Sequence, residues 1–322
     1  MASSLFGDYE KVCGRADART IVLVGKMGNG KSATGNSLIG REVFDSMLSL
    51  GGVTATCKLE TTVLDDGRIL NVVDTPGLFD SSVEPNVMAK EIANCINLAK
   101  DGIHAVLLVL SLGSRFSEEE ASAFESLRQI FGGKIADYMI VVFSHGDLLR
   151  KNLTLDRFLA SNCPNQLTKT LAMCGNRTAV FNNMTEDEVK IRKQREELLS
   201  LVENVVADNG GKPYTNDLFQ QLKKDEIDEA TQGKSSEEKP GGEQFDRFVE
   251  MVEVRLKESI ANLENMLAEE RAARAAAELK VLEAQAKAEH EVLELKQRLN
   301  RADELSKELQ EKLNHKQFCA IM

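Results

Sequence analysis

Between residues 18 and 210, short apolar runs rich in Val, Ile and Leu alternate with longer stretches whose apolar positions recur every three or four residues. A strand buried on both faces reads as a continuous apolar run. The alternation therefore predicts an α/β domain with a mostly parallel, six-stranded sheet between helices. Strands are expected at residues 20–24, 59–64, 69–73, 105–110, 139–143 and 179–181. Asp65-Asp66-Gly67-Arg68 joins the second and third as a hairpin turn, which makes one strand antiparallel. Helices are expected at 31–39, 87–100, 118–131, 155–159 extending to 174, and 187–206.

Past residue 210 the pattern changes. Residues 214–230 carry Leu218, Phe219, Leu222 and Ile227 on one face of an amphipathic helix. Residues 231–242 are rich in Gly, Ser, Lys and Glu and read as a flexible linker. From 243 to 316 there is no Gly or Pro, and Ala, Glu, Lys, Arg and Leu dominate. Unbroken, that run makes a helix of roughly 110 Å. Val292, Leu295, Leu299, Ala302, Ser306, Leu309 and Leu313 step alternately by three and four, as a coiled-coil seam requires. Val249, Val252, Leu256, Leu263 and Met266 offer an earlier seam, with an Ala-rich middle between the two. The expected organisation is an N-terminal extension (1–17), an α/β domain (18–210), a helix and linker (211–242), a coiled coil (243–316) and a tail (317–322).

The chemistry is concentrated at the ends of the expected strands. Gly25-Lys26-Met27-Gly28-Asn29-Gly30-Lys31-Ser32 follows the first strand and opens the first helix, the context that makes G-x-x-x-x-G-K-[ST] a phosphate cradle. Backbone N–H groups of this loop and of Ala33 would surround the phosphates, Lys31 would reach the β- and γ-phosphates, and the Ser32 hydroxyl would ligate Mg2+. Asp74-Thr75-Pro76-Gly77 closes the third strand; Asp74 would hold Mg2+, and the Gly77 N–H would meet the γ-phosphate. Gly51-Gly52-Val53-Thr54-Ala55-Thr56 suits a mobile first switch, with Thr54, or alternatively Thr56, completing the Mg2+ shell. Phe143-Ser144-His145-Gly146-Asp147 follows the fifth strand. A carboxylate at Asp147 can accept both donors of the guanine edge, and adenine offers no such pair. His145 can stack on the base beside Gly146, and Asn182 would finish the pocket after the last strand.

The formal charge of −11 argues against a broad nucleic-acid surface. Six cysteines without a C-x-x-C pair point to a reduced compartment and away from zinc. The start shows no apolar signal segment, and no apolar run approaches the ~20 residues that span a bilayer. Four dispersed histidines offer neither a nucleophile set nor metal-ligand spacing; His104 reads as a hydrogen-bonded core histidine.

Gly102-Ile103-His104-Ala105-Val106-Leu107-Leu108-Val109-Leu110-Ser111, followed by Arg115-Phe116-Ser117-Glu118-Glu119-Glu120, resembles the box of the AIG1/IAN/GIMAP family, immunity-associated nucleotide-binding GTPases related to septins and chloroplast import GTPases. Gly28-Asn29-Gly30-Lys31-Ser32-Ala33-Thr34-Gly35-Asn36-Ser37-Leu38-Ile39-Gly40 and Tyr138-Met139-Ile140-Val141-Val142-Phe143 match it as well. The resemblance covers residues 18–210. It implies a P-loop GTPase domain that binds GTP or GDP with Mg2+ and pairs through its nucleotide face. It also implies that Ser46 reaches the nucleotide from the first switch. Small GTPases commonly follow the Asp-x-x-Gly glycine with a water-aligning glutamine; here that place is Leu78, so an isolated domain should turn over slowly. Arg115 is then either an arginine finger acting across a dimer or a partner of Glu118–Glu120 on its own helix.

Cys319-Ala320-Ile321-Met322 fits C-a-a-X, with a final Met that favours farnesylation. One lipid chain binds membrane only marginally, so a parallel coiled-coil dimer would add the second. The sequence therefore reads as a GTP-binding, slowly hydrolysing switch that self-associates on the cytosolic face of the endoplasmic reticulum or plasma membrane, in defence or stress responses if the family name is a guide. The other reading is a nucleotide-gated membrane scaffold without significant turnover.

Overall fold

The computed structural model describes residues 18–46, 56–78, 83–149, 153–231 and 242–319. Two compact units divide the chain, Met1–Leu263 and Glu264–Met322. The first is built on strands β1 (Ala18–Val24), β2 (Lys58–Val63), β3 (Ile69–Asp74), β4 (Ala105–Ser111), β5 (Met139–Ser144) and β6 (Thr178–Val180). They form one six-stranded sheet in the order β2-β3-β1-β4-β5-β6. Only β2 is antiparallel, paired with β3 from Lys58↔Asp74 to Val63↔Ile69 across the expected hairpin. The other neighbours run parallel, so β1, β3, β4, β5 and β6 end at one edge. All six expected strands are present, shifted by one or two residues at their ends.

Burial explains the pattern. Every residue of β1 from Ile21 to Val24, of β4 from Ala105 to Leu110 and of β5 from Met139 to Phe143 is buried, because helices cover both faces. Those helices are α1 (Lys31–Ile39), α2 (Pro85–Leu98), α3 (Glu118–Phe131), α4 (Leu155–Asn162), α5 (Asn165–Met173), α6 (Glu188–Asp208) and α7 (Asp217–Thr231). The single helix expected from 155 to 174 is in fact two. Pro164 forces Cys163 out of the helical region, to φ −76° and ψ 119°, and α5 begins after it. Neighbouring β1 carries β3 on one side and β4 on the other, so the chain order reverses there. In open α/β sheets this opens a crevice at the strands' carboxyl ends.

Helix α8 (Gly242–Cys319) contains the long Gly- and Pro-free run. Its first turns differ from expectation. Phe248, Val252 and Leu256 are buried in the core of the first unit, Arg255 pairs with Asp217 and donates to the Ile130 carbonyl, and Ser259 donates to Gln129 at 2.7 Å. Val252 and Leu256 are therefore core residues, Val249 is partly buried against that core, and the three are not available as a coiled-coil seam. In the second unit, Val292, Leu295, Leu299 and Leu309 are all more than half exposed. Among the described residues no helix is long and apolar enough to cross a membrane.

Candidate nucleotide-binding site

The loop after β1 has the conformation that a phosphate cradle demands. Gly25 has φ 144°, and a Cβ there would lie 2.4 Å from the Val109 carbonyl oxygen, so only glycine fits against β4. Gly30 sits at the α1 N-cap in the left-handed region, φ 84°, which turns the loop directly into the helix. Lys31 is 6 % exposed and its ammonium donates to the carbonyls of Gly25 and Lys26, at 3.0 and 3.1 Å, curling the loop around itself. The helix N-terminus behind it brings backbone N–H groups and partial positive charge to the same point.

Asp74, at the end of β3, is 1 % exposed and accepts from the Ser32 hydroxyl at 2.6 Å. A hydroxyl and a carboxylate converging beside the cradle are the hard oxygen donors that suit Mg2+. Thr75 anchors the following turn by donating to the Leu23 carbonyl at 2.6 Å. That brings Gly77 against the loop, where a Cβ would lie 3.1 Å from the Met27 nitrogen. Leu78 then turns inward. It is 5 % exposed and lines a tight apolar cavity with Val24, Cys95, Ile103 and Phe131, so this position cannot address a water at the site.

The loop after β5, where base recognition is expected, is tied to the cradle. His145 adopts φ 55°, ψ 42°, uncommon for a residue with a Cβ. Its Nδ1 lies 2.9 Å from the Ser144 hydroxyl and 3.1 Å from that of Ser111. Buried Ser144 in turn donates to the Asn29 carbonyl at 2.7 Å. Gly146 is pressed against β6, since a Cβ would meet Val180 Cγ1 at 2.7 Å. Asp147 lies exposed on the short turn Gly146–Leu148, so a bound base, and not the protein alone, would have to bury it. Asn182 and its neighbour divide differently from expectation. The Asn182 side chain accepts from the Met184 N–H at 3.0 Å and closes its own turn. Asn183 accepts from Ser37 at 2.9 Å and donates to Thr34 at 3.1 Å, facing α1 and Gly30.

The segment expected to be the first switch is anchored on either side among the described residues. Asn36 Oδ1 accepts from the N–H groups of Val43 and Phe44, and its Nδ2 donates to the Phe44 carbonyl. At the far end Glu91 accepts from the Cys57 N–H at 2.7 Å, and the Cys57 thiol donates to the Glu91 carbonyl at 3.3 Å. Its hydrogen bond with Cys95 and its burial push the Cys57 thiol far above its ordinary range, so it stays protonated. Ser46 and Thr56 are exposed just inside these anchors, while Thr54 lies outside the described residues. The anchoring roles of Asn36 and Glu91 escaped the sequence reading. Asn36 stood in a matched run with no task given to it, and Glu91 looks like any helix carboxylate until its burial is known.

The helix after β4 closes the site's other side. Ser117 and Glu120 form a capping box at the start of α3. Lys26 pairs with Glu119 at 2.5 Å, and Asn29 donates to Glu120 at 2.8 Å. Arg115 precedes this cap in an exposed loop and, among the described residues, is not paired with Glu118, Glu119 or Glu120.

Immune-associated nucleotide-binding protein 9 of Arabidopsis thaliana is 46 % identical over 324 aligned positions, covering 95 % of this chain and 94 % of its own. Immune-associated nucleotide-binding protein 5 of the same plant is 47 % identical, covering 77 % of this chain and 87 % of its own. Among solved structures, Toc33 from Arabidopsis thaliana in complex with GDP and Mg2+ aligns with a TM-score of 0.46 at 21 % identity, over 63 % of this chain and 90 % of its own. The AIG1 family profile matches residues 19–234, and the chain belongs to the AIG1 family.

Proposed function

We propose that this protein is a guanine-nucleotide switch that assembles with copies of itself and hydrolyses GTP slowly. One observation carries the reading: the phosphate cradle, the Ser32–Asp74 pair and the His145–Asp147 turn stand together at one sheet edge. In this reading Lys31 and the loop amides bind the phosphates. Ser32, Asp74 and a first-switch threonine, Thr54, hold Mg2+, which supplies charge neutralisation at the phosphates when bound. Gly77, beside Met27, senses the γ-phosphate, and Asp147 selects guanine with His145 over the base. The names of the relatives, immune-associated nucleotide-binding proteins, support nucleotide binding and a place in defence or stress responses.

Slow turnover follows from Leu78, which is packed in the core where a water-aligning group would be needed. Arg115, exposed at the site's rim and unpaired with its own helix's acids, is the group proposed to act from a second copy. The exposed seam of α8 supports a parallel pair as well. In register, Glu291 faces the partner's Lys296, and Arg298 faces the partner's Asp303, two attractive contacts flanking the seam. Cys319 in Cys-Ala-Ile-Met is the proposed prenyl acceptor when it ends the chain, placing the protein on a cytosolic membrane face. Leu78 also favours a second reading, a scaffold that binds nucleotide without turnover.

Multiple-turnover GTPase assays over a range of protein concentrations separate the two. The proposed switch gives a rate per molecule that rises with concentration, and Arg115→Ala removes the rise while leaving monomer GTP affinity intact. A flat, near-zero rate selects the scaffold, and preference for ATP over GTP rejects both.

A further inference from the structure

Behind the cradle lies a buried carboxylate that phosphate binding by itself does not explain. Glu120 is 4 % exposed and is the third residue of α3, close to the loop proposed to receive anions. A negative charge there opposes the ligand, so its presence calls for a compensating task. Its oxygens are fully committed. One accepts from the Ser117 N–H at 2.9 Å and lies 3.3 Å from the Ser117 hydroxyl, and the other accepts from Asn29 Nδ2 at 2.8 Å. Asn29 is 5 % exposed and also donates to the Val109 carbonyl at 3.0 Å, so its Nδ2 hydrogens are spent inside the protein. The Asn29 backbone carbonyl is meanwhile held by Ser144, next to His145.

We infer that Glu120 is a positioning residue for the phosphate loop, acting through the Asn29 carboxamide, and that it couples this loop to the Arg115 segment. Ser117, two residues after Arg115, caps α3 through the same carboxylate, so a displacement of that segment on meeting a second copy passes through Glu120 to Asn29. The buried bond is charge-assisted and shielded from water, which makes it strong and directional. Lys26, paired with Glu119 one residue earlier, adds a second, exposed tether between the same two elements. The inference rests on the loop being a phosphate site; it adds which side chain sets the loop's shape and where a neighbour's contact enters.

A donor–acceptor exchange tests it. Asn29→Asp replaces the donor by a second carboxylate facing Glu120. Adding Glu120→Gln lets the new carboxamide donate across the gap while its oxygen still serves the Ser117 N–H, and the total charge returns to that of the natural pair. Binding of Mg2+–GDP to the full chain is measured by calorimetry, alongside thermal unfolding. Asn29→Asp is expected to weaken GDP by roughly tenfold or more; N29D/E120Q relieves the carboxylate contact but not the one with the Val109 carbonyl, and is expected to recover a measurable part of that loss, about threefold or more. Ser117→Ala weakens the same helix cap and is expected to lower the Tm by a few degrees while GDP affinity stays within about twofold. Failure of Glu120→Gln to rescue, or affinity loss in Ser117→Ala equal to that in Asn29→Asp, overturns the inference and leaves a plain helix cap. Should Asn29→Asp not fold, Asn29→Ala and Glu120→Ala decide: additive losses in the double variant overturn it, and non-additive losses support it. Natural protein that binds no GDP would instead reject the proposed function.

Discussion

At the scale of single residues, the most consequential position is one that does not face the site. Leu78 occupies the place where a glutamine would orient water, yet its side chain is packed with Val24, Cys95, Ile103 and Phe131. A carboxamide put there is buried among apolar groups without partners, at a cost of about 1–3 kcal/mol. Leu78→Gln is therefore expected to lower the Tm by several degrees and to leave GTP turnover no faster. A clear acceleration with unchanged Tm would mean that the side chain can swing outward and that the core packing is not what limits hydrolysis. The same scale sets what could be read in advance. Gly25, Lys31, Ser32 and Asp74 announce themselves because their chemistry requires a fixed order and spacing behind a strand. Asn36, Glu91 and Glu120 do not, because a buried polar residue is recognised only by the partner that three-dimensional packing brings to it.

The elements were legible where periodicity is unambiguous and misread where two packings share one period. The apolar residues of β1, β4 and β5 form runs too continuous for anything but a doubly covered sheet. Val249, Val252 and Leu256 recur at three and four residues in either a coiled coil or a helix packed on a domain, and only their burial in the core of the first unit decides for the latter. Element pairing also carries a titration. His104, at the start of β4, is 9 % exposed, and its Nδ1 accepts from the Thr20 N–H of β1 at 3.0 Å. Burial, and then the nearby Arg19 against an opposing pull from Glu203, depresses it from 6.5 to about 4. Protonation would set an N–H against an N–H, so the folded protein refuses a proton that the unfolded chain accepts. Stability from this group is complete above pH 6.5 and is lost as pH falls through about 4, at most about 3 kcal/mol. Urea midpoints measured from pH 7 to 4 should fall over that window, and His104→Gln should flatten the fall; an unchanged slope would place the titration elsewhere.

On the scale of the whole molecule, the proposed self-association and the proposed membrane attachment are linked. A single prenyl chain gives only marginal, reversible binding, whereas two chains held together bind as one divalent ligand. The α8 seam joins them if its flanking charges match in a parallel pair. Reversing one of them, Lys296→Glu, places it opposite the partner's Glu291 on both sides of the dimer, and like charges so placed weaken a coiled coil. Adding Glu291→Lys swaps the pair and restores attraction without changing the net charge of the natural protein. For prenylated protein mixed with neutral phosphatidylcholine vesicles, Lys296→Glu is expected to reduce both dimer in sedimentation and the bound fraction, and the double reversal to recover both together. Cys319→Ser should abolish vesicle binding while leaving the dimer intact. If the charge variants dissociate the dimer yet bind vesicles as tightly as the natural protein, one lipid chain suffices and avidity has no part in anchoring. If the double reversal fails to restore the dimer, the helices do not meet in this register and orientation.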